Sequence, residues 1–132
     1  MNVKELLKKA DEVKKQAYVP YSNFRVGAAL LAKSGKVYVG ANIENASYSV
    51  TCCAERVALF SAVLSGEREF EAIAVTSDSD MITTPCGVCR QALFEFSPKM
   101  DVISSNNKLE YEVMKLNAML AGGFSGKEMG AK

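Results

Sequence analysis

Phe24-Arg25-Val26-Gly27-Ala28-Ala29-Leu30-Leu31, the pair Ser34-Gly35 and Lys36-Val37-Tyr38-Val39-Gly40 decide the fold. Two short apolar runs around a turn signal read as a β-hairpin. Upstream, Val3, Leu6, Leu7, Ala10, Val13 and Ala17 recur at spacings of three and four with Lys and Glu between them. That is one amphipathic helix ending before Pro20. Downstream, residues 42–49 read as loop, 54–64 as a helix stopped by Ser65-Gly66, and 70–76 as a buried strand. A polar loop at 77–84 leads to a helix over 87–96, bounded by Pro85 and Pro98. A short strand at Val102-Ile103-Ser104, another around 109–113 and a helix near 114–120 complete the chain. The order α-β-β-α-β-α-β-β-α predicts an α/β protein. We expect a three-layer α/β/α sandwich on a mixed five-stranded sheet, with residues 1–132 as a single domain.

At 48% hydrophobic and 23% charged residues, the composition is that of a globular protein rather than a disordered one. Sixteen basic against fifteen acidic residues argue against a nucleic-acid polymer as partner, because phosphate backbones require clustered Lys and Arg. The chain has no histidine, which excludes a Ser-His triad, an H-E-x-x-H metalloprotease and an imidazole general base. The opening Met1-Asn2-Val3-Lys4-Glu5-Leu6-Leu7-Lys8-Lys9 is too charged for a signal peptide, and no apolar run reaches the roughly 20 residues of a membrane span. A cytoplasmic protein without a membrane partner is expected. Reduced thiols follow, so four cysteines point to metal or catalysis before disulfides.

Three of those cysteines fall at the starts of expected helices, in Thr51-Cys52-Cys53-Ala54-Glu55-Arg56 and in Pro85-Cys86-Gly87-Val88-Cys89-Arg90. Cys86 and Cys89, three apart on a helical turn, share a face and can converge on one ion at Zn–S distances near about 2.3 Å. One more thiolate gives three protein ligands and an open fourth position, the pattern of a catalytic rather than a structural zinc. Three thiolates on Zn²⁺ carry a net negative charge that would discourage a bound water from ionising. Two helix N-termini, each with roughly half a positive charge, offset it, and Arg56 and Arg90 are placed to hydrogen-bond the thiolates. A C-x-x-C pair also suits a redox motif, but such a motif needs no third cysteine. Cys52 is read as a small buried hydrophobe.

At these residues the sequence resembles the zinc-dependent cytidine deaminases, in their short, homotetrameric class. Cys53-Ala54-Glu55 with Pro85-Cys86-Gly87-Val88-Cys89 carries the superfamily pattern. Residues 20–30, 40–48 and 85–91 extend the likeness over nearly the whole chain, and Asn42-Ile43-Glu44-Asn45-Ala46-Ser47-Tyr48 narrows it to nucleoside deaminases. The resemblance implies one zinc per chain on Cys53, Cys86 and Cys89, with Glu55 as the proton shuttle. Zinc lowers the pKa of water from about 16 towards about 7, and a carboxylate can carry both proton transfers, so the missing histidine is no obstacle. It further implies that Asn42 and Glu44 bind the ribose hydroxyls, with Ile43 and Ala54 lining the substrate. Phe24 matches an aromatic that packs on the pyrimidine, with core packing its equal competitor. Tyr48 and Phe124 match positions that approach a neighbouring subunit's site in a homotetramer. The chain departs from the pattern at Cys52, at Ser49 and in the proline-free run Met119-Leu120-Ala121-Gly122-Gly123-Phe124.

The expected activity is hydrolysis of cytidine and 2'-deoxycytidine to uridine and 2'-deoxyuridine plus ammonia, in pyrimidine salvage. Two rivals stand beside it: a deaminase of a blasticidin S-type cytosine-nucleoside antibiotic, and a non-enzymatic zinc or redox module. Asn42 and Glu44 favour a plain ribose over the first. Glu55, with no structural purpose of its own, argues against the second.

Overall fold

The computed structural model of the chain describes residues 1–130. Its elements run α1 (Val3–Lys14), β1 (Val26–Ala32), β2 (Val37–Ala41), α2 (Ala54–Leu64), β3 (Phe70–Ser77), α3 (Gly87–Phe94), β4 (Asp101–Ser105), β5 (Tyr111–Lys115) and α4 (Leu116–Met119). Single 3₁₀ turns lie at Tyr48–Val50 and Gly126–Met129. The sheet order is β2-β1-β3-β4-β5, with β3 and β4 parallel and the other neighbours antiparallel. The mixed five-stranded sheet between helical layers is the one the element order predicts.

Alternation along the strands divides the core in two. Leu6, Leu7 and Ala10 of α1 pack on Ala29, Ala72, Ala74 and Ile103. On the other face, α2, α3 and α4 set Ala58, Leu59, Leu93 and Leu116 against Ala28, Leu30, Ile73, Val75 and Val102. Two glycines let the helices approach this closely. A Cβ at Gly27 would overlap the Ala10 carbonyl of α1, and one at Gly40 would overlap the Ala54 carbonyl and meet Ala58 N at 2.5 Å. Gly40 thus fixes the height at which α2 begins.

Several boundaries differ from expectation, among them the end of α3 at Phe94 rather than 96, and three have a visible cause. The apolar period continues to Ala17, but α1 ends at Lys14, because the next residues form i→i+3 turns and Tyr18 N–H donates to Asn42 O at 2.9 Å. Strand β5 starts at Tyr111 rather than 109, since Leu109 adopts φ +60° in the turn after Asn106. Met114 and Lys115 pair with Val102 and Asp101, which leaves α4 only four residues.

Candidate active site

Helices α2 and α3 begin side by side, and each takes a cysteine as its N-cap. Cys53 and Cys86 have extended backbones, and neither side chain caps the backbone N–H groups of its helix. A serine or aspartate at such a position would turn back onto the first N–H groups. The thiols turn towards each other instead. Sγ of Cys53 and Sγ of Cys86 are 3.9 Å apart, and with Cys89 Sγ all three lie within 4.8 Å of one another. Sulfurs at about 2.3 Å from one tetrahedral ion are separated by about 3.8 Å, so the donor set and its spacing fit zinc. Cys89 is buried, Cys53 half-buried and Cys86 exposed, so the cluster is reached from the Cys86 side. Cys52 stands outside it, its backbone paired in both directions with Ile43.

The local electrostatics favour thiolate at Cys53. The hydrogen bond from Cys89, followed by those from Arg56 and Cys86, draws the Cys53 thiol down to about 5 against the opposing effect of burial. The same bond and burial push the Cys89 thiol up. Arg56 Nη2 donates to Cys53 Sγ at 3.5 Å and to Thr51 O at 3.4 Å, while its buried Nε has no hydrogen-bond partner among the described residues. Glu55, in the first turn of α2, is 4% exposed, and burial pushes its carboxyl up to about 7.

Arg90 corrects the sequence reading. Its guanidinium donates to Pro85 O at 2.8 Å, Met119 O at 2.9 Å and Thr84 Oγ1 at 3.2 Å, and to no sulfur among the described residues. One position beyond Cys89, it is held away from the sulfurs by these three bonds. It fastens the end of α4 to the loop that carries Cys86. Gln91, which sequence reasoning gave no role, adds a second tie: Nε2 donates to Phe124 O at 2.7 Å and Oε1 accepts from Phe124 N at 3.2 Å. The ring of Phe124 remains half-exposed.

The residues assigned to substrate lie along the 20–24 turn and the end of β2. Asn42 Oδ1 accepts from Val26 N at 2.9 Å and its Nδ2 donates to Phe24 O at 2.9 Å, which straps Phe24 to the head of β1. Glu44 accepts from Tyr21 N at 3.0 Å, Ser22 N at 3.1 Å and the Ser22 hydroxyl. Phe24, 38% exposed, is outside both core clusters, so core packing is not its role. Ile43 is exposed, whereas Ala54 is wholly buried in the core. A cavity of about 330 Å³ is lined by Tyr21, Ser22, Glu44, Tyr48 and Thr51. Tyr48 meets Tyr21 edge-on at 5.9 Å, with the rest of its ring in solvent. A larger cleft of about 580 Å³ opens beside Phe70, Phe96 and Met100, near the end of α3 remote from the cysteines.

Residues 1–105 match the family described as the cytidine and deoxycytidylate deaminase zinc-binding region. The cytidine deaminase of Sporosarcina psychrophila is 46% identical over 130 residues, covering 98% of this chain and 96% of the relative. That of Halalkalibacterium halodurans is 45% identical over 130 residues, with 98% of each chain covered. The crystal structure of the Burkholderia pseudomallei cytidine deaminase superposes with a TM-score of 0.91 at 43% identity, covering 94% of this chain and 100% of that one.

Proposed function

The chain belongs to the zinc-binding cytidine and deoxycytidylate deaminase family, and from that premise we propose how its residues divide the work of deaminating cytidine. The reaction consumes water and cytidine and yields uridine and ammonia. Cys53, Cys86 and Cys89 hold the zinc, which supplies Lewis-acid activation of water at neutral pH. Glu55 takes a proton from the water that adds at C4 and places it on N3. It then takes the remaining hydroxyl proton and gives it to the amine, which departs as ammonia. A carboxyl near about 7 suits both transfers, and burial supplies that value. Arg56 draws charge from the Cys53 thiolate, and the α2 N-terminus adds positive potential. Phe24 takes a face of the pyrimidine, with Ile43 beside it, and Asn42 and Glu44 take the sugar.

The observation that carries this reading is the meeting of three sulfurs at two helix N-termini, beside a buried glutamate with a raised pKa. The relatives favour cytidine over the antibiotic substrate. We extend the reading to 2'-deoxycytidine and to a cytoplasmic salvage role; no helix among the described residues is long and apolar enough to cross a membrane. An ultraviolet assay with cytidine, deoxycytidine, cytosine and blasticidin S tests it. Free cytosine should show a kcat/KM lower by about 100-fold, because the polar groups placed for the sugar then meet no hydroxyls. Equal constants for cytosine and cytidine would refute the sugar assignment.

The same reading makes the working enzyme a homotetramer. Tyr48, Val50, Val88 and Phe124 all expose large apolar surface near the site, which a lone subunit leaves wet. Light scattering decides the assembly, and a fully active monomer defeats it. Mixing Glu55→Gln with Phe124→Ala subunits should restore activity above either parent, because intact halves of a site can then meet.

A further inference from the structure

Ser22 lies between two of the residues assigned to substrate. Its hydroxyl donates to Glu44 Oε2 and accepts from Phe24 N–H at 3.0 Å, so one oxygen joins the sugar-side carboxylate to the backbone of the base-side aromatic. The turn that presents it is fixed by other means as well. Asn23 adopts φ +57°, a conformation asparagine tolerates, and its N–H donates to Val19 O at 2.9 Å.

The acceptor count on Glu44 then becomes decisive. An ionised carboxylate offers about four acceptor positions, two on each oxygen. Oε1 already receives the Tyr21 and Ser22 N–H groups, and Oε2 receives the Ser22 hydroxyl. One position is left, on Oε2. These bonds, the Ser22 hydroxyl foremost, hold the Glu44 carboxyl below its ordinary range, so it stays an acceptor at working pH. Both Ser22 and Glu44 line the 330 Å³ cavity.

We propose that Ser22 is a specificity-determining positioning residue: by occupying one position of Glu44 Oε2 and tethering Phe24, it leaves the carboxylate a single aimed acceptor for a single sugar hydroxyl. A site with one such acceptor recognises a nucleoside that keeps one ring hydroxyl and rejects one that keeps none. This rests on the reading that Glu44 meets the sugar. Without Ser22 the carboxylate keeps its backbone bonds, but Oε2 is no longer aimed and Phe24 N–H loses its acceptor.

The test compares kcat and KM for cytidine and 2',3'-dideoxycytidine across wild type, Ser22→Ala, Ser22→Thr and Glu44→Gln, each zinc-loaded and checked for native circular dichroism. Ser22→Ala should raise KM for cytidine about tenfold with kcat little changed, the size expected for a misaimed bond to a charged acceptor. Its KM for dideoxycytidine should rise much less, by only what the loosened Phe24 costs both substrates, and Ser22→Thr should restore the cytidine value. Equal losses on both substrates would make Ser22 a merely structural turn residue and overturn the proposal. A wild-type cytidine KM in Ser22→Ala, with a sugar-dependent loss in Glu44→Gln, would overturn it while leaving the Glu44 reading intact. If Glu44→Gln shows no sugar-dependent loss, that reading fails first and takes the proposal with it.

Discussion

The two halves of the site are built on opposite plans. Around the cysteines, polar groups are left short of partners by the polypeptide: two cap thiols do not cap, and Arg56 Nε is buried without a bond. Around the sugar residues, Asn42, Glu44 and Ser22 are all engaged by their own chain. The three thiols are instead a ready donor set, which a bound zinc would complete. The second half is in place before any ligand arrives. Chemistry is thus concentrated where the chain is unsatisfied, and recognition where it is satisfied.

Glu55→Gln is the strongest test of the unsatisfied half. Turnover should fall by about 10³-fold or more while zinc stays near one per chain, because the carboxylate moves protons and does not hold the metal. Absorbance assays with metal analysis check both. Zinc lost along with the carboxylate would give Glu55 a structural place and erase the contrast. Next in size, Cys53→Ala should lose its zinc and Cys52→Ala should keep it. The reverse pattern would mean that the adjacent thiol turns into the cluster.

The legibility of the chain follows the same division. The cysteine cluster was readable because residues three apart on a helix share a face and because Cys53 opens the other helix. The hairpin was readable from its turn signal. Side-chain direction one residue further on was not: Arg90 sits next to Cys89 in sequence yet faces the end of α4. Boundaries failed where tertiary contacts decide them. Tyr18 is captured by Asn42, which ends the α1 region early, and a left-handed Leu109 delays β5; neither is encoded in local periodicity. The sugar residues were identified by resemblance alone. Nothing in their spacing shows that Asn42 straps Phe24 to β1, or that Ser22 joins Phe24 to Glu44.

If the sugar half is self-supporting, damage to it should register as lost stability before any substrate is added. Asn42→Ala leaves Phe24 O and Val26 N without their partner, at a cost of about 1–3 kcal/mol. A melting temperature lower by roughly 3–10 °C in the apo protein is expected. An Asn42→Ala protein as stable as its parent but poor in cytidine binding would show a side chain kept for the ligand rather than for the fold.

The smallest effect expected is also the one that separates the halves by pH. Asp78 takes Arg25 Nε and Nη2 at 3.0 Å each and the Arg25 N–H at 3.0 Å, gripping the segment that Asn42 holds from its other side. Hydrogen bonding to Arg25, with the nearby charge of Lys14 at 3.5 Å as a lesser contribution, lowers the Asp78 pKa to about 2. An unfolded aspartate titrates near about 3.9, so the folded form holds its proton less tightly. The stabilisation is therefore complete above about pH 4 and lost as the pH falls through about 2. Asp78→Asn should cost about 1 kcal/mol at pH 7, a modest figure because solvent reaches the pair, and its stability curve should converge on the parent's between about pH 4 and 2. Denaturant melts at stepped pH measure this. A cost that persists at pH 2 would mean that the side chain acts through packing or neutral hydrogen bonds, and the head of β1 would then not depend on an ion pair. Convergence would place the acid-sensitive charge on the sugar half.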